Sequence, residues 1–120
     1  MPTTADDDGD ITEKVESGQL VIRIHRDADE VTLELSGELD LASAPALQQQ
    51  LEGAAADGSG PVIVDLGHLE FLDSTGLRVL VHAQRQLTDD GREIVLRPGP
   101  PAVQRLFELS RMDRLFRFIP

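Results

Sequence analysis

The sequence predicts an α/β (α+β-like) domain: a mixed β-sheet of about five strands with an N-terminal antiparallel hairpin, and three or more helices packed against the sheet. Two adjoining segments alternate apolar and polar residues, three later segments carry apolar residues at helical spacing, and short β-branched runs separate those helical segments. Because a strand, a helix and a parallel strand connect right-handedly across one face of a sheet, the order β β α β α β α β requires a mixed sheet.

The hairpin is predicted from the first two alternating segments. Residues 20–25 and 31–36 each place an apolar side chain at every second position, and the polar residues 27–29 lie between them. This pattern is typical of two antiparallel strands joined by a short turn. We expect the first strand to start near Gln19.

The segment before the hairpin is acidic and polar. Residues 1–17 contain only two large aliphatic side chains, Ile11 and Val15, so burial cannot offset the entropy lost on ordering. Residues 1–17 are therefore predicted to be a flexible acidic tail, and residues 18–120 a single domain. A chain of 120 residues can bury a core of this kind without disulfides or metals.

Three helices are predicted from apolar periodicity and from their boundary residues. The first begins at Ser43, with Pro45 just behind it, and stops at the glycine-rich residues 58–60. The second covers residues 75–88, and the third follows the proline-rich residues 98–101. The positions of the third helix that we expect to face inward are Val103, Leu106, Phe107 and Leu109.

The remaining strands are short. Val62, Ile63 and Val64 form a continuous β-branched run, which is typical of a strand covered on both faces, so we expect a central parallel strand there. Residues 94–96 are predicted to be the next strand, and residues 115–119 the last one.

Charge and composition exclude several classes of function. The formal net charge of −11 argues against non-specific binding to nucleic acid and against adhesion to anionic membranes. Residues 17–91 hold thirteen acidic residues and four arginines, which would attract a partner with a basic surface, although solubility alone also accounts for this charge. The absence of cysteine excludes disulfides, thiolate zinc sites and a cysteine nucleophile.

Residues 1–20 lack the basic start and apolar stretch of a secretory signal, and no apolar run has membrane-spanning length. We therefore expect a cytoplasmic protein with neither a membrane nor a nucleic acid as partner. No residue spacing indicates a metal site or a tightly bound cofactor.

The junction at residues 71–77, Phe-Leu-Asp-Ser-Thr-Gly-Leu, joins an apolar strand to an amphipathic helix. The first N–H groups of a helix have no intrahelical partner and carry partial positive charge, so a phosphate on Ser74 could be held there. The alternative is structural, because Asp73, Ser74 or Thr75 could cap the helix and contribute about 1 kcal/mol. Gly76 likewise has two interpretations, close approach of a ligand or partner and close packing of the helix on the sheet.

The junction resembles a known family. Residues 73–77, with the strand before them, are similar to the signature segment of bacterial anti-anti-sigma factors, which are members of the STAS family. Residues 37–45, 91–96 and 101–107 resemble further segments of that family in order and spacing. The resemblance covers residues 19–119 and implies the STAS fold.

The resemblance also implies a function in regulation. Unphosphorylated members bind an anti-sigma factor that is a serine kinase of the GHKL ATPase type, which frees the sigma factor, and a PP2C-type phosphatase removes the phosphate that the kinase adds. Ser74 would be the phosphoacceptor and Thr75 its neighbour. The implied partner-binding residues are Glu38, Asp40, Asp73, Ser74, Thr75, Gly76, Leu77 and Arg78.

Arg78 departs from the family pattern, because well-studied members often have a glycine there. Its side chain could pair with Asp73 or with a phosphate on Ser74, or it could be an ordinary solvated arginine.

Two other functions are compatible with parts of this pattern. A hydrolase is disfavoured because the nucleophile elbow Gly-x-Ser-x-Gly would need a glycine where Leu72 stands. His82 lies about 12 Å from Ser74 along the helix, too far to act as its base, so no catalytic residue is predicted. The other alternative is a non-phosphorylated STAS subunit of a transporter or sensory complex, and such subunits often lack a hydroxyl at the acceptor position.

Overall fold

The computed structural model describes residues 11–120. They form a six-stranded sheet, three α-helices and a short 3₁₀ helix at Met112–Leu115. The elements are β1 Ile11–Ser17, β2 Leu20–Asp27, β3 Glu30–Leu39, α1 Ala44–Ala56, β4 Val62–Leu72, α2 Ser74–Asp89, β5 Ile94–Arg97, α3 Pro101–Leu109 and β6 Arg117–Phe118.

The sheet is mixed, as predicted. Its strands lie side by side in chain order from β1 to β6. The β1–β2 and β2–β3 pairs are antiparallel, whereas β3–β4, β4–β5 and β5–β6 are parallel. Helices α1 and α2 connect the parallel strands β3, β4 and β5, and they contact each other. The carboxyl ends of β3 and β4 therefore meet at one edge of the sheet, where each strand leads into a helix.

The prediction of a flexible tail up to residue 17 was wrong for residues 11–17. These residues form β1, in which Val15 lies opposite Ile22 of β2 and packs against the core. Pairing with β2 satisfies the backbone groups of this polar edge strand that face β2, so it is ordered with little apolar burial of its own. The strand count is consequently six rather than about five. Residues 1–10 of the predicted tail lie outside the described residues.

The core lies between one sheet face and the helices. Helix α2 buries Leu77, Leu80, Ala83 and Leu87, and α1 buries Ala44, Leu47, Leu51 and Ala54. None of the helices in residues 11–120 combines the length and the apolar character needed to cross a membrane.

The C-terminal region differs from the prediction in two respects. Leu109, which was expected to face inward, is 74% exposed because α3 ends there. The last strand is shorter than predicted, since residues 112–115 form the 3₁₀ helix. Phe107 anchors this region: its ring is fully buried and makes edge-to-face contacts with Phe116 and Phe118, at centroid distances of 5.7 and 5.5 Å.

A buried arginine closes the C-terminal end of α1. Nη1 of Arg92 donates hydrogen bonds to the carbonyl oxygens of Ala54 and Ala55 at 2.7 and 3.0 Å. Its Nε and Nη2 both donate to the carbonyl oxygen of Gly60, at 3.0 and 2.7 Å. The last carbonyls of a helix lack intrahelical donors and carry partial negative charge, so a guanidinium there stabilises the helix end.

Candidate functional site

Ser74 is the first residue of α2, directly after β4. Its side chain is exposed, and within residues 11–120 its hydroxyl makes no hydrogen bond. Asp73 caps the helix instead: its backbone is extended and its Oδ1 accepts the N–H of Gly76 at 2.9 Å. Of the capping candidates that the sequence left open, the structure uses Asp73. The Ser74 hydroxyl is therefore not needed for the helix start and faces solvent.

Asp73 also joins this helix start to the loop between β3 and α1. Its Oδ2 accepts the N–H of Leu41 at 3.2 Å, and its backbone N–H donates to the carbonyl oxygen of Leu39 at 3.2 Å. One carboxylate thus connects two segments that lie more than thirty residues apart in the chain. The position of Ser74 relative to this loop is set by these hydrogen bonds.

The loop itself is ordered by Asp40 and Ser43. Oδ1 of Asp40 accepts the backbone N–H groups of Ala42 and Ser43 at 3.1 and 3.2 Å. The buried hydroxyl of Ser43 accepts the N–H of Asp40 and donates to the carbonyl oxygen of Glu38, both at 3.0 Å. These bonds hold the half-buried Glu38 and Asp40 at the carboxyl end of β3.

Strand pairing brings these acidic residues beside the junction. Leu39 pairs with Leu72, and Glu38 pairs with Phe71, in the parallel β3–β4 ladder. The implied site residues from the two strands are therefore assembled at one edge of the sheet. Not all of the implied site residues lie at the surface, however, because two of those in α2 are buried.

Gly76 and Leu77 lie behind the surface. A Cβ at Gly76 would be 2.6 Å from Cγ of Leu39 and 2.8 Å from Cδ1 of Leu72, so this glycine allows α2 to pack closely on the sheet. Leu77 is only 6% exposed. Of the two interpretations of Gly76, the structure supports close packing, and neither residue presents a side chain to solvent as Ser74 and Arg78 do.

Two cavities flank the first turns of α2. One, of about 190 Å³, is lined by Ser74, Leu77, Arg78, Val81, Ser110 and Met112. The other, of about 340 Å³, is lined by Gln48, Thr75, Arg78, Val79 and His82. Both are open surface depressions, and Arg78 lines both of them. Thr75 is half-buried, so of the two neighbouring hydroxyl residues Ser74 is the more accessible.

Leu41 is a surface residue of this region that the sequence reasoning did not identify. Its side chain is 72% exposed, and its backbone N–H is held by Asp73. Phe71, on the neighbouring strand end, is 48% exposed. The sequence does contain a signal for this exposed residue: an apolar side chain lies between Asp40 and Ala42, at a loop position where a polar residue is usual.

The chain is similar to known proteins in sequence and in fold. The family described as "Mlab, STAS domain" matches residues 22–119. The chain is 34% identical over 82 residues to BtrV of Bordetella bronchiseptica, a protein named as an anti-sigma factor antagonist, and the match covers 68% of this chain and 71% of BtrV. It is 29% identical over 83 residues to an anti-sigma-B factor antagonist of Staphylococcus aureus, covering 69% of this chain and 77% of that protein.

A solved structure agrees with these relatives. The chain is similar to the crystal structure of an anti-sigma factor antagonist from Mycobacterium paratuberculosis, with a TM-score of 0.72 and 30% sequence identity. The superposition covers 84% of this chain and 86% of that one.

Proposed function

Because the chain belongs to the STAS family of anti-sigma factor antagonists, we propose that its unphosphorylated form binds an anti-sigma factor and that phosphorylation of Ser74 switches this binding off. The partner is a serine kinase of the GHKL ATPase type, which transfers the phosphate, and a PP2C-type phosphatase removes it. The chain acts as a binding protein and as a substrate of these enzymes, and it carries no catalytic residue of its own.

The observation that supports this proposal is the exposed hydroxyl of Ser74 beside an independently capped helix start. A kinase can reach the hydroxyl without unfolding α2, because Asp73 and not Ser74 accepts the N–H of Gly76. A phosphate at this position lies at the positive end of the helix dipole, so it does not destabilise the helix that carries it. Phosphorylation would therefore change binding more than folding.

The electrostatic effect on a partner is large enough for a switch. A phosphoserine adds about −1.5 to −2 charges at neutral pH, here beside Asp73 and Asp40. Burying a charged phosphate in an interface that fits the uncharged serine costs several kcal/mol of desolvation, whereas a tenfold change in affinity needs about 1.4 kcal/mol. A partner surface that fits the uncharged serine would lose affinity by roughly two orders of magnitude or more.

The acceptor is tested by incubating the protein with its cognate kinase and ATP and then locating the phosphate by mass spectrometry. We expect one phosphate on Ser74, none in Ser74→Ala, and a single phosphate still located on Ser74 in Thr75→Val. A Ser74→Ala variant that is still phosphorylated would show that the acceptor is another residue.

The switch is tested by calorimetric titration of the kinase with two matched variants. Ser74→Asp should lose binding, whereas Ser74→Asn, which has nearly the same shape without the charge, should keep most of it. The alternative function, a non-phosphorylated STAS subunit of a transporter or sensory complex, predicts no phosphate on Ser74 and equal behaviour of both variants. Neighbouring genes for such a kinase or for transport proteins provide an independent discrimination.

A further inference from the structure

Arg78 lies one helical turn after Ser74 on α2. Residues four apart on a helix share a face, with Cβ atoms about 5–6 Å apart. Both residues line the same cavity of about 190 Å³, and among residues 11–120 Arg78 is the only charged residue that lines it. The side chains of Ser74 and Arg78 are both exposed, so the guanidinium has the freedom to move toward the serine.

The guanidinium of Arg78 is uncommitted. Within residues 11–120 it forms neither an ion pair nor a hydrogen bond, although the chain carries a net charge of −11. Other arginines are engaged: Arg26 contacts Asp57 at 2.8 Å, and Arg117 contacts Glu93 at 2.7 Å. Arg78 differs from both in having no carboxylate partner, and Arg85 on the same helix is likewise unpaired within residues 11–120.

The neighbouring carboxylates do not compete for Arg78. Asp73 accepts the N–H groups of Gly76 and Leu41, and Asp40 accepts N–H groups of its own loop. The other titratable residues on this face of α2 are His82, two turns beyond Ser74, and Arg85, three turns beyond it. A new anion on Ser74 would consequently meet a cation whose own hydrogen-bonding capacity is unused.

We propose that Arg78 binds the phosphate of phosphorylated Ser74 within the same chain, a role that rests on the proposed phosphorylation of Ser74. The guanidinium donates to the phosphate oxygens from one side while the first turn of α2 lies on the other. Phosphorylation then changes two charged groups at once. It adds negative charge at residue 74, and it engages the guanidinium of Arg78, which lines both cavities that flank α2.

The test uses chains in which phosphoserine is incorporated directly at position 74 during translation, so that no kinase is needed. Titration of the phosphate by ³¹P NMR reports its second pKa, which is ordinarily about 6. Arg78 should hold this pKa below the value found in Arg78→Gln, with the titration midpoint about 0.5 pH units higher in the variant.

Arg85→Gln is the matched control. Arg85 is also exposed on α2 and its loss changes the net charge equally, but it lies eleven residues from Ser74, about 16 Å along the helix axis. This distance exceeds the screening length at physiological salt, so the midpoint should stay at that of the unsubstituted chain. Equal midpoints for the unsubstituted chain, Arg78→Gln and Arg85→Gln would overturn the proposal.

Thermal unfolding provides a second measurement. Arg78→Gln should lower the Tm of the chain with phosphoserine at position 74 and leave the Tm of the unphosphorylated chain unchanged. An equal loss in both forms would assign Arg78 a general structural role and overturn phosphate binding. These outcomes are independent of the kinase, because a failure of the kinase to modify Ser74 would contradict the proposed function without altering the NMR or Tm result.

Discussion

Asp73 and Ser74 are adjacent in the chain, but their side chains have opposite surroundings. The carboxylate of Asp73 accepts hydrogen bonds from Gly76 and from Leu41, whereas the Ser74 hydroxyl is exposed and has no partner within residues 11–120. An extended backbone at Asp73 turns its side chain back over the first turn of α2. Asp73 therefore caps the helix, while its neighbour Ser74 remains accessible to solvent.

We expect Asp73→Ala to lower the free energy of unfolding by about 1–2 kcal/mol, because it removes the N-cap and the bond to Leu41. Urea denaturation measures this loss. Asp73→Asn is the control: asparagine caps helices as well as aspartate does, so it should keep the hydrogen bond from Gly76 and lose only the one from Leu41. Equal losses in the two variants would show that the hydrogen bond from Gly76 does not stabilise the helix start.

At the scale of secondary structure, α2 is held against the sheet by a glycine contact. Gly76 lies on the ends of β3 and β4 through Leu39 and Leu72, so the helix start sits close to both strands. This close approach places Ser74 at the same edge of the sheet as the loop that follows β3. A larger residue at position 76 would displace either the helix or the two leucines.

Gly76→Ala should destabilise the protein by about 1–3 kcal/mol, because the added methyl group would lie 2.6 Å from Cγ of Leu39. Gly53→Ala in α1 is the control, since a Cβ there has no atom within 4 Å. The control should stabilise the protein by about 0.5–1 kcal/mol through helix propensity. Chemical denaturation of both variants decides this, and a stabilised Gly76→Ala would contradict the packing described.

The end of α1 depends on one buried side chain in the same way. Arg92→Met keeps the apolar stem and removes the donors to Ala54, Ala55 and Gly60, so we expect a loss of about 2–3 kcal/mol. Arg117→Met, which breaks the exposed pair with Glu93, should change stability by no more than about 0.5 kcal/mol. Similar Tm values for the two variants would contradict this assignment.

For the whole molecule, β1 changes where the domain begins. The predicted boundary at residues 17 and 18 falls inside the turn of the β1–β2 hairpin. Cutting there would expose the edge of β2 and remove Val15 from the core that it packs against. The ordered part of the chain thus begins at least as early as residue 11.

A chain that begins at Gln19 should be less stable than one that begins at Ile11, by about 2 kcal/mol or more, because it lacks the β1 ladder and the burial of Val15. Thermal unfolding of the two truncated proteins measures the difference. Identical Tm values would mean that β1 contributes nothing to the fold and that the boundary predicted from the sequence is adequate.

Local patterns predicted most of the fold because they depend on residues close together in the chain. Period-two alternation located β2 and β3, and helical spacing located α1 and α2 to within about two residues. The same patterns failed for β1, whose polar residues are ordered by a neighbouring strand. They also failed for Leu109, which has apolar character but lies at the exposed end of α3.

From β2 onward, the sequence by itself determined the kinds and order of the helices and strands and the strand-to-helix junction that holds Ser74, since each of these follows from local periodicity and from residues at helix boundaries. Only the tertiary structure decided that Asp73 rather than Ser74 caps α2, that Gly76 faces the sheet, and which carbonyl oxygens accept hydrogen bonds from Arg92. These outcomes depend on contacts with residues distant in the chain, such as Leu41 for Asp73 and Ala54 for Arg92, which no local pattern encodes.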